Sequence, residues 1–129
     1  MLRILVADDA PMVRAGLKSL LETHEGWSVR AEAENGQDAV QKALDLNPDV
    51  VLLDVSMPNL NGFEAAETIK KYLPSATIYF VTQYHSPEMA RATAEVGARG
   101  CIAKVHIPTD LMPAIEAAID FPPVESPAL

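Results

Sequence analysis

The chain has 129 residues, of which 49% are hydrophobic and 22% charged, a composition typical of one soluble globular domain. Its formal net charge of −8 argues against direct binding of this segment to nucleic acid or to an anionic membrane. No apolar run approaches the roughly 18 residues of a membrane span, and a single cysteine cannot form an internal disulfide. We therefore expect a cytoplasmic protein.

In chain order, the first predicted strand covers residues 4–7 and is closed by Asp8 and Asp9. The helix after it begins near Pro11, because proline suits a first helical turn. Its apolar positions recur at helical spacing, at Met12, Val13, Leu17, Leu20 and Leu21. An alternating strand over 27–31 is then predicted, near an edge of the sheet.

The middle of the chain repeats this alternation. Asn35-Gly36 is a turn signal, and a second helix with apolar positions at Ala39, Val40, Ala43 and Leu44 stops at Asn47-Pro48. Residues 50–54 are a continuous apolar run ending in an acid, which predicts a strand buried on both faces with Asp54 at its end. A loop follows, at Pro58, Asn59, Asn61 and Gly62, and a third helix, with apolar positions at Ala65, Ala66, Ile69 and Tyr72 or Leu73, extends to Pro74.

The last third contains two strands and two helices. A strand over 76–81 ends at Thr82, and Ser86 is predicted to cap a fourth helix that has Pro87 in its first turn. A short fifth strand, 100–103, ends at Lys104. A final apolar stripe at helical spacing comprises Leu111, Ala114, Ile115, Ala118 and Ile119.

Pro113 conflicts with a long final helix. If the helix began at Pro108, Pro113 would remove an interior backbone hydrogen bond, at a cost of roughly 3 kcal/mol. We therefore expect the regular helix to begin only at 110–112, after an irregular approach, with Thr109 or Asp110 as its cap.

Five alternations of strand and helix with short connections predict an α/β fold, a doubly wound, five-stranded parallel sheet with helices on both faces. The predicted domain covers residues 1–120. Residues 121–129 are proline-rich and aperiodic, which is typical of a tail or the start of a linker.

Polar residues of chemical interest end four of these strands. Asp8 with Asp9, Asp54, Thr82 and Lys104 converge if the first and third strands are neighbours, because parallel strands place their carboxyl ends at one edge. Three adjacent carboxylates repel each other unless a cation joins them, and oxygen-only ligands suit Mg²⁺. A carboxylate beside Mg²⁺ can attack phosphorus.

Each of these residues also has an ordinary structural interpretation. Asp54 could cap the next turn, and the Asp8-Asp9 pair could be a solvated loop pair or a helix cap. Thr82 could be an ordinary strand residue with its hydrogen bonds satisfied, and Lys104 could be a solvated surface lysine. Their occurrence together, each at a strand end, favours a functional site.

The motifs that carry these residues form a recognisable set. They are Val6-Ala7-Asp8-Asp9, Leu52-Leu53-Asp54-Val55-Ser56-Met57-Pro58 with Gly62, Val81-Thr82, and Gly97-Ala98-Arg99-Gly100 leading to Lys104. The chain thereby resembles the receiver domain of two-component response regulators over roughly residues 2–120. The approach to the lysine is most similar to the subfamily with LuxR-type helix-turn-helix outputs.

The resemblance implies a flavodoxin-like (βα)5 receiver fold and a phosphoacceptor role. By the same match, Asp54 accepts a phosphoryl group from the phosphohistidine of a sensor histidine kinase. Asp8, Asp9, Asp54 and the backbone carbonyl of Ser56 bind Mg²⁺, and Thr82 and Lys104 contact the phosphoryl group. Such a domain catalyses only its own phosphotransfer and slow dephosphorylation. A homodimer and an output in transcription are further implications of the resemblance. Either the protein stands alone, or residues 121–129 begin a linker to a DNA-binding output domain.

Some residues depart from the family pattern. Cys101 stands where the family often has an aromatic switch residue, and Tyr84 is a candidate substitute that could also slow hydrolysis of the phosphate. Val105 and His106 follow the lysine where the subfamily often has an acid. These departures keep a phosphorylation-independent, receiver-like interaction domain as an alternative. A Mg²⁺-dependent phosphohydrolase is a further alternative, although Ser56 stands where many such enzymes have a second acid.

Overall fold

The computed structural model describes residues 1–57, 60–83 and 86–120, in which strands and helices alternate along the chain. The strands are β1 (Leu2–Ala7), β2 (Trp27–Ala33), β3 (Val50–Asp54), β4 (Thr77–Thr82) and β5 (Gly100–Ala103). The helices are α1 (Pro11–Leu21), α2 (Gly36–Leu46), α3 (Gly62–Tyr72), α4 (Pro87–Glu95) and α5 (Met112–Asp120). Every predicted strand and helix is confirmed in type and in approximate position.

The five strands form one parallel sheet in the order β2-β1-β3-β4-β5. This is the flavodoxin-like order, in which the first and third strands are neighbours and the direction in which successive strands are added to the sheet reverses between them. The predicted doubly wound α/β fold is therefore confirmed, as is the edge position of β2. The consequence for the site is that the ends of β1 and β3 are adjacent.

Two hydrophobic cores lie on opposite faces of the sheet. One core contains strand residues such as Val6 and Leu52 together with Leu17 of α1 and Ile115 of α5. The other is built on alternate strand residues and on buried side chains of α2 and α3, which are Ala39, Ala43, Ala65, Ala66 and Ile69. Every residue of β3 is buried, as its continuous apolar sequence predicts for a central parallel strand.

Four positions predicted to be apolar helix-face residues are instead exposed to solvent. Met12 is 88% exposed and Tyr72 58% exposed, while Leu44 and Ile119 are each 43% exposed. Each lies at the margin of a helical stripe whose centre is buried, such as Leu17 in α1 or Ile115 in α5. Periodicity predicts which side of a helix faces the core, but it does not set the width of the buried stripe.

Asn35-Gly36 begins a helix and does not form a separate turn. The side chain of Asn35 accepts a hydrogen bond from the amide of Asp38, and it thereby caps α2. Gly36 is the first helical residue, and a Cβ atom there would overlap the backbone carbonyl of Leu60. The glycine is therefore required by close backbone approach, and not by a turn conformation.

The approach to α5 is irregular, as Pro113 predicts. A 3-10 turn at Lys104–His106 leads into a π-helical turn at Ile107–Leu111, and the regular helix begins at Met112. Pro113 then lies in the first turn of α5, where its missing amide costs little. The predicted cap at Thr109 or Asp110 is wrong, because both residues lie inside the π-helical turn.

The predictions for Pro58, Asn59, Tyr84 and the tail 121–129 lie outside the described residues. Across the ranges that the structure does describe, no helix combines the length and apolar character that a membrane crossing would require.

Candidate functional site

The carboxyl edge of the sheet brings the predicted site residues together. Asp8 follows β1, Asp54 ends β3, Thr82 ends β4 and Lys104 follows β5. Asp8, Asp54 and Thr82 are buried, with exposures of 1%, 4% and 6%. Burial of acids at a sheet edge is unfavourable unless they are compensated, so the contacts of these carboxylates decide what the site can do.

Three carboxylates form a compact cluster. One oxygen each from Asp8, Asp9 and Asp54 lies within 4.8 Å of the others, and Asp9 is the exposed member. The amide of Ala10 donates to Oδ1 of Asp8 at 2.8 Å, and the amide of Ser56 donates to Oδ1 of Asp54 at 3.3 Å. These amides hold the side chains of Asp8 and Asp54 by one oxygen each, while the other oxygen of each lies within ion-pair distance of Lys104.

Lys104 bridges the two buried acids. Its Nζ atom lies 3.2 Å from Oδ2 of Asp8 and 3.4 Å from Oδ2 of Asp54. Oδ2 of Asp8 is fully buried and, within the described ranges, accepts no hydrogen bond of good geometry. The ion pair with Lys104 is therefore its main charge compensation.

The ionisation of the site reflects this crowding. Burial raises the pKa of Asp54 above its usual value, and the neighbouring charge of Asp8 raises it further, while Lys104 and the Ser56 amide offset part of the effect. Burial alone would lower the pKa of Lys104, but Asp54 and Asp8 together raise it above its usual value. One protonated lysine beside three carboxylates leaves a net negative charge, which favours binding of a further cation.

The donor set fits a hard divalent cation. All three side chains offer carboxylate oxygens, which are the ligands that Mg²⁺ prefers, and the under-satisfied Oδ2 of Asp8 is available within the cluster. Ser56 contacts the site through its amide, which donates to Asp54. The metal-binding role of its carbonyl, like the roles of Thr82 and Lys104 toward a phosphoryl group, stays a prediction.

Arg14 of α1 also contacts the site, a contact that the sequence analysis did not predict. Its Nη1 atom donates to the backbone carbonyl of Asp8 at 2.6 Å, and its Nε atom lies 3.5 Å from Oε1 of Glu32 on β2. An arginine on an amphipathic helix is usually a solvated residue, so only its spacing of six residues from Asp8 could have suggested the contact.

Comparisons with known proteins show the family to which this chain belongs. Residues 4–116 match the model of the response regulator receiver domain. The chain is 40% identical to the transcriptional regulatory protein LnrK of Bacillus subtilis over 81% of its own length and 47% of that protein. It is 35% identical to the chemotaxis protein CheY of Thermotoga maritima, over 88% of this chain and 93% of that protein.

A solved structure agrees with these sequence matches. The two-component response regulator of the LuxR family from Aurantimonas sp. superposes with a TM-score of 0.87 at 34% identity, covering 92% of this chain and 84% of that one. The chain spans about half the length of the curated transcriptional regulators that it matches, for example 47% of LnrK and 54% of YdfI from Bacillus subtilis.

Proposed function

The chain belongs to the response regulator receiver domain family, and from this premise we propose that it is the phosphoacceptor switch of a two-component phosphorelay. In this proposal Asp54 takes a phosphoryl group from the phosphohistidine of a sensor histidine kinase. The observation that carries the proposal is the position of Asp54. It is a buried carboxylate at the end of the central strand, clustered with two acids and 3.4 Å from a lysine ammonium.

The proposed chemistry is a single displacement at phosphorus. An oxygen of Asp54 attacks the phosphorus atom, a P–O bond forms as the P–N bond to histidine breaks, and the imidazole leaves with the electron pair. Bound Mg²⁺ would neutralise charge on the phosphoryl oxygens. Asp8, Asp9, Asp54 and the carbonyl of Ser56 would hold that ion.

Lys104 and Thr82 would stabilise the product. The Lys104 ammonium already contacts Asp54, so a short movement of its flexible stem brings it to a phosphoryl oxygen. The Thr82 hydroxyl would donate a hydrogen bond to another oxygen. Because phosphorylation adds about −1.5 to −2 charges, these two side chains would be drawn toward Asp54 and would move the ends of β4 and β5.

The wider biological role follows from the relatives by analogy. LnrK and YdfI are named transcriptional regulatory proteins, and the matched regions cover 47% and 54% of their lengths. We expect residues 1–120 to be the receiver and residues 121–129 to be a tail or the start of a linker. A DNA-binding output domain attached by such a linker would control transcription in the cytoplasm. A homodimer is the expected active form. The receiver itself would be a signalling domain that dephosphorylates slowly.

Acetyl phosphate, a small phosphodonor, tests the proposal. Incubation with and without Mg²⁺, followed by intact-mass measurement, is expected to give one phosphate adduct that requires Mg²⁺ and is absent in Asp54→Asn. Asp45→Asn, an exposed acid on α2, is the matched control and is expected to be phosphorylated normally.

Other outcomes would identify the alternatives. A folded protein that forms no adduct would support a phosphorylation-independent interaction domain. Continuous release of phosphate over many turnovers from small phosphate esters would support a phosphohydrolase.

A further inference from the structure

We propose that Arg14 is a positioning residue that orders the peptide between Asp8 and Asp9 and so places the Asp9 carboxylate for Mg²⁺ binding. This inference rests on the proposed function, because it concerns the cation that the phosphoacceptor site would use. It assigns a role to a residue outside the cluster of acids, on a helix that contributes no ligand itself.

The contacts of Arg14 join three parts of the fold. Its guanidinium donates to the Asp8 carbonyl from α1 and pairs with Glu32 on β2. The Arg14 side chain is only 16% exposed, so the contact is largely shielded from water. A charge-assisted hydrogen bond at 2.6 Å in such a setting is stronger than an ordinary surface contact.

Asp9 is the site residue that most depends on this contact. Asp8 has anchors of its own, because its amide donates to the Ala33 carbonyl at 3.0 Å and its Oδ1 accepts from Ala10. Asp9 is exposed, and its carboxylate has no hydrogen bond or ion pair with any residue in the described ranges. Its direction is therefore set by the backbone, and the carbonyl that Arg14 holds belongs to the peptide bond joining Asp8 to Asp9.

An electrostatic role and a positioning role for Arg14 predict opposite changes in Mg²⁺ affinity when the residue is removed. A cation close to the site repels Mg²⁺, so removing its charge would tighten metal binding if charge were its only influence. If Arg14 orders the Asp8–Asp9 peptide, its removal weakens metal binding despite the lost repulsion. The sign of the change thus separates the two explanations.

The test compares Arg14→Gln with Arg30→Gln by titrating each metal-free protein with Mg²⁺ in a calorimeter. Arg30 is exposed on β2, and the only side-chain hydrogen bond that it makes within the described residues is to the sulfur of Met1. We expect about a tenfold loss of Mg²⁺ affinity in Arg14→Gln, as is typical when a residue that orients a metal ligand is removed. Arg30→Gln is expected to bind as tightly as the wild type or slightly more tightly.

Two further measurements distinguish positioning from general damage. Phosphorylation of Arg14→Gln by acetyl phosphate is expected to recover toward the wild-type rate at saturating Mg²⁺, and Arg14→Lys, which keeps a donor, is expected to regain part of the affinity. In the metal-free protein, the amides of Asp9 and Ala10 are expected to exchange with solvent faster in Arg14→Gln, with other amides of β1 unchanged.

Equal or tighter Mg²⁺ binding by a folded Arg14→Gln would overturn the proposal. If that variant does not fold, Arg14→Lys takes its place, since it keeps the positive charge but loses the planar guanidinium that contacts both the Asp8 carbonyl and Glu32, and a two- to threefold weakening relative to the wild type is expected. An unchanged affinity in Arg14→Lys would then count against the role. A wild type that binds no Mg²⁺ would instead remove the proposed function, and this role with it.

Discussion

Helices α3 and α4 connect successive strand pairs on the same side of the sheet, yet they are attached to it very differently. The inner face of α3 is fully buried, with Ala65, Ala66 and Ile69 each at 0% exposure. In α4 the only buried residue is Thr93, whose hydroxyl donates to the Met89 carbonyl of the same helix. Since burial of apolar surface is the main source of stability, α4 is held far less firmly than α3.

The space beside α4 reinforces the contrast. A cavity of about 210 Å³ lies between α4 and β5, and small side chains form much of its lining, among them Ala90, Ala94, Ala98 and Cys101. Weakly packed elements are the ones that open or shift at low free-energy cost. The helix that follows Thr82 is therefore better suited to move on phosphorylation than the helix that follows Asp54.

The largest expected difference between the two helices is in their contribution to stability. Ile69→Ala in α3 removes a fully buried side chain and is expected to lower the free energy of unfolding by about 3 kcal/mol. Met89→Ala in α4, where the side chain is half-buried, is expected to cost less than about 1 kcal/mol. Urea denaturation of both variants measures this difference. Equal losses of unfolding free energy would contradict the weaker packing of α4.

A smaller effect is expected where α3 begins. A Cβ atom at Gly62 would overlap the backbone carbonyl of Asp54, so Gly62→Ala is expected to destabilise the protein by about 2 kcal/mol and to disturb the end of β3. Gly16 in α1 has no neighbour within 4 Å of such an atom. Gly16→Ala should therefore stabilise the protein by roughly 0.5–1 kcal/mol. If Gly62→Ala were as stable as Gly16→Ala, the close attachment of α3 to β3 would be contradicted.

The smallest effect concerns the ionisation of Asp54, at the carboxyl edge of the sheet. Burial and Asp8 raise the pKa of Asp54, so folding favours its protonated form. The stability that this proton contributes is complete at low pH and is lost as the pH rises through the raised pKa. Asp54→Asn, which stays neutral, is therefore expected to match the wild type at low pH and to melt a few degrees higher at neutral pH without Mg²⁺.

Thermal denaturation scans between low and neutral pH, without Mg²⁺, make this measurement. Asp45→Asn is the matched control. A neutral-pH melting temperature of Asp54→Asn at or below that of the wild type would show that the ionised Asp54 does not strain the metal-free site.

The sequence is informative about the strands and the ligand types, and less so about contacts between elements. Asp54 could be placed at a strand end because a continuous apolar run leads into it, and the sheet order then places Asp8 beside it, with Lys104 at the same edge two strands away. The bridging of both acids by Lys104 could not be predicted, since it depends on the path of the 3-10 turn after β5. Asn35-Gly36 was ambiguous because a cap and a turn use the same residues.

Helix burial was the least predictable property. The apolar pattern predicted for α3 is clear and that of α4 is only weakly amphipathic, which indicates the direction of the difference but not that α4 buries only Thr93. The contact of Arg14 with the Asp8 carbonyl is likewise a tertiary feature, for which the sequence offers only a basic residue on a helix.

The central claim is that phosphorylation of Asp54 drives a switch. Hydrogen exchange of α3 and α4 before and after phosphorylation tests this claim most directly. Wild type and Asp54→Asn would each be treated with acetyl phosphate and Mg²⁺, and exchange followed by mass spectrometry. We predict that exchange in α4 changes several-fold in the phosphorylated wild type, that α3 is unaffected, and that Asp54→Asn shows neither phosphate nor change. A fully phosphorylated protein in which α4 exchanges as before, or in which α3 and α4 respond equally, would contradict it.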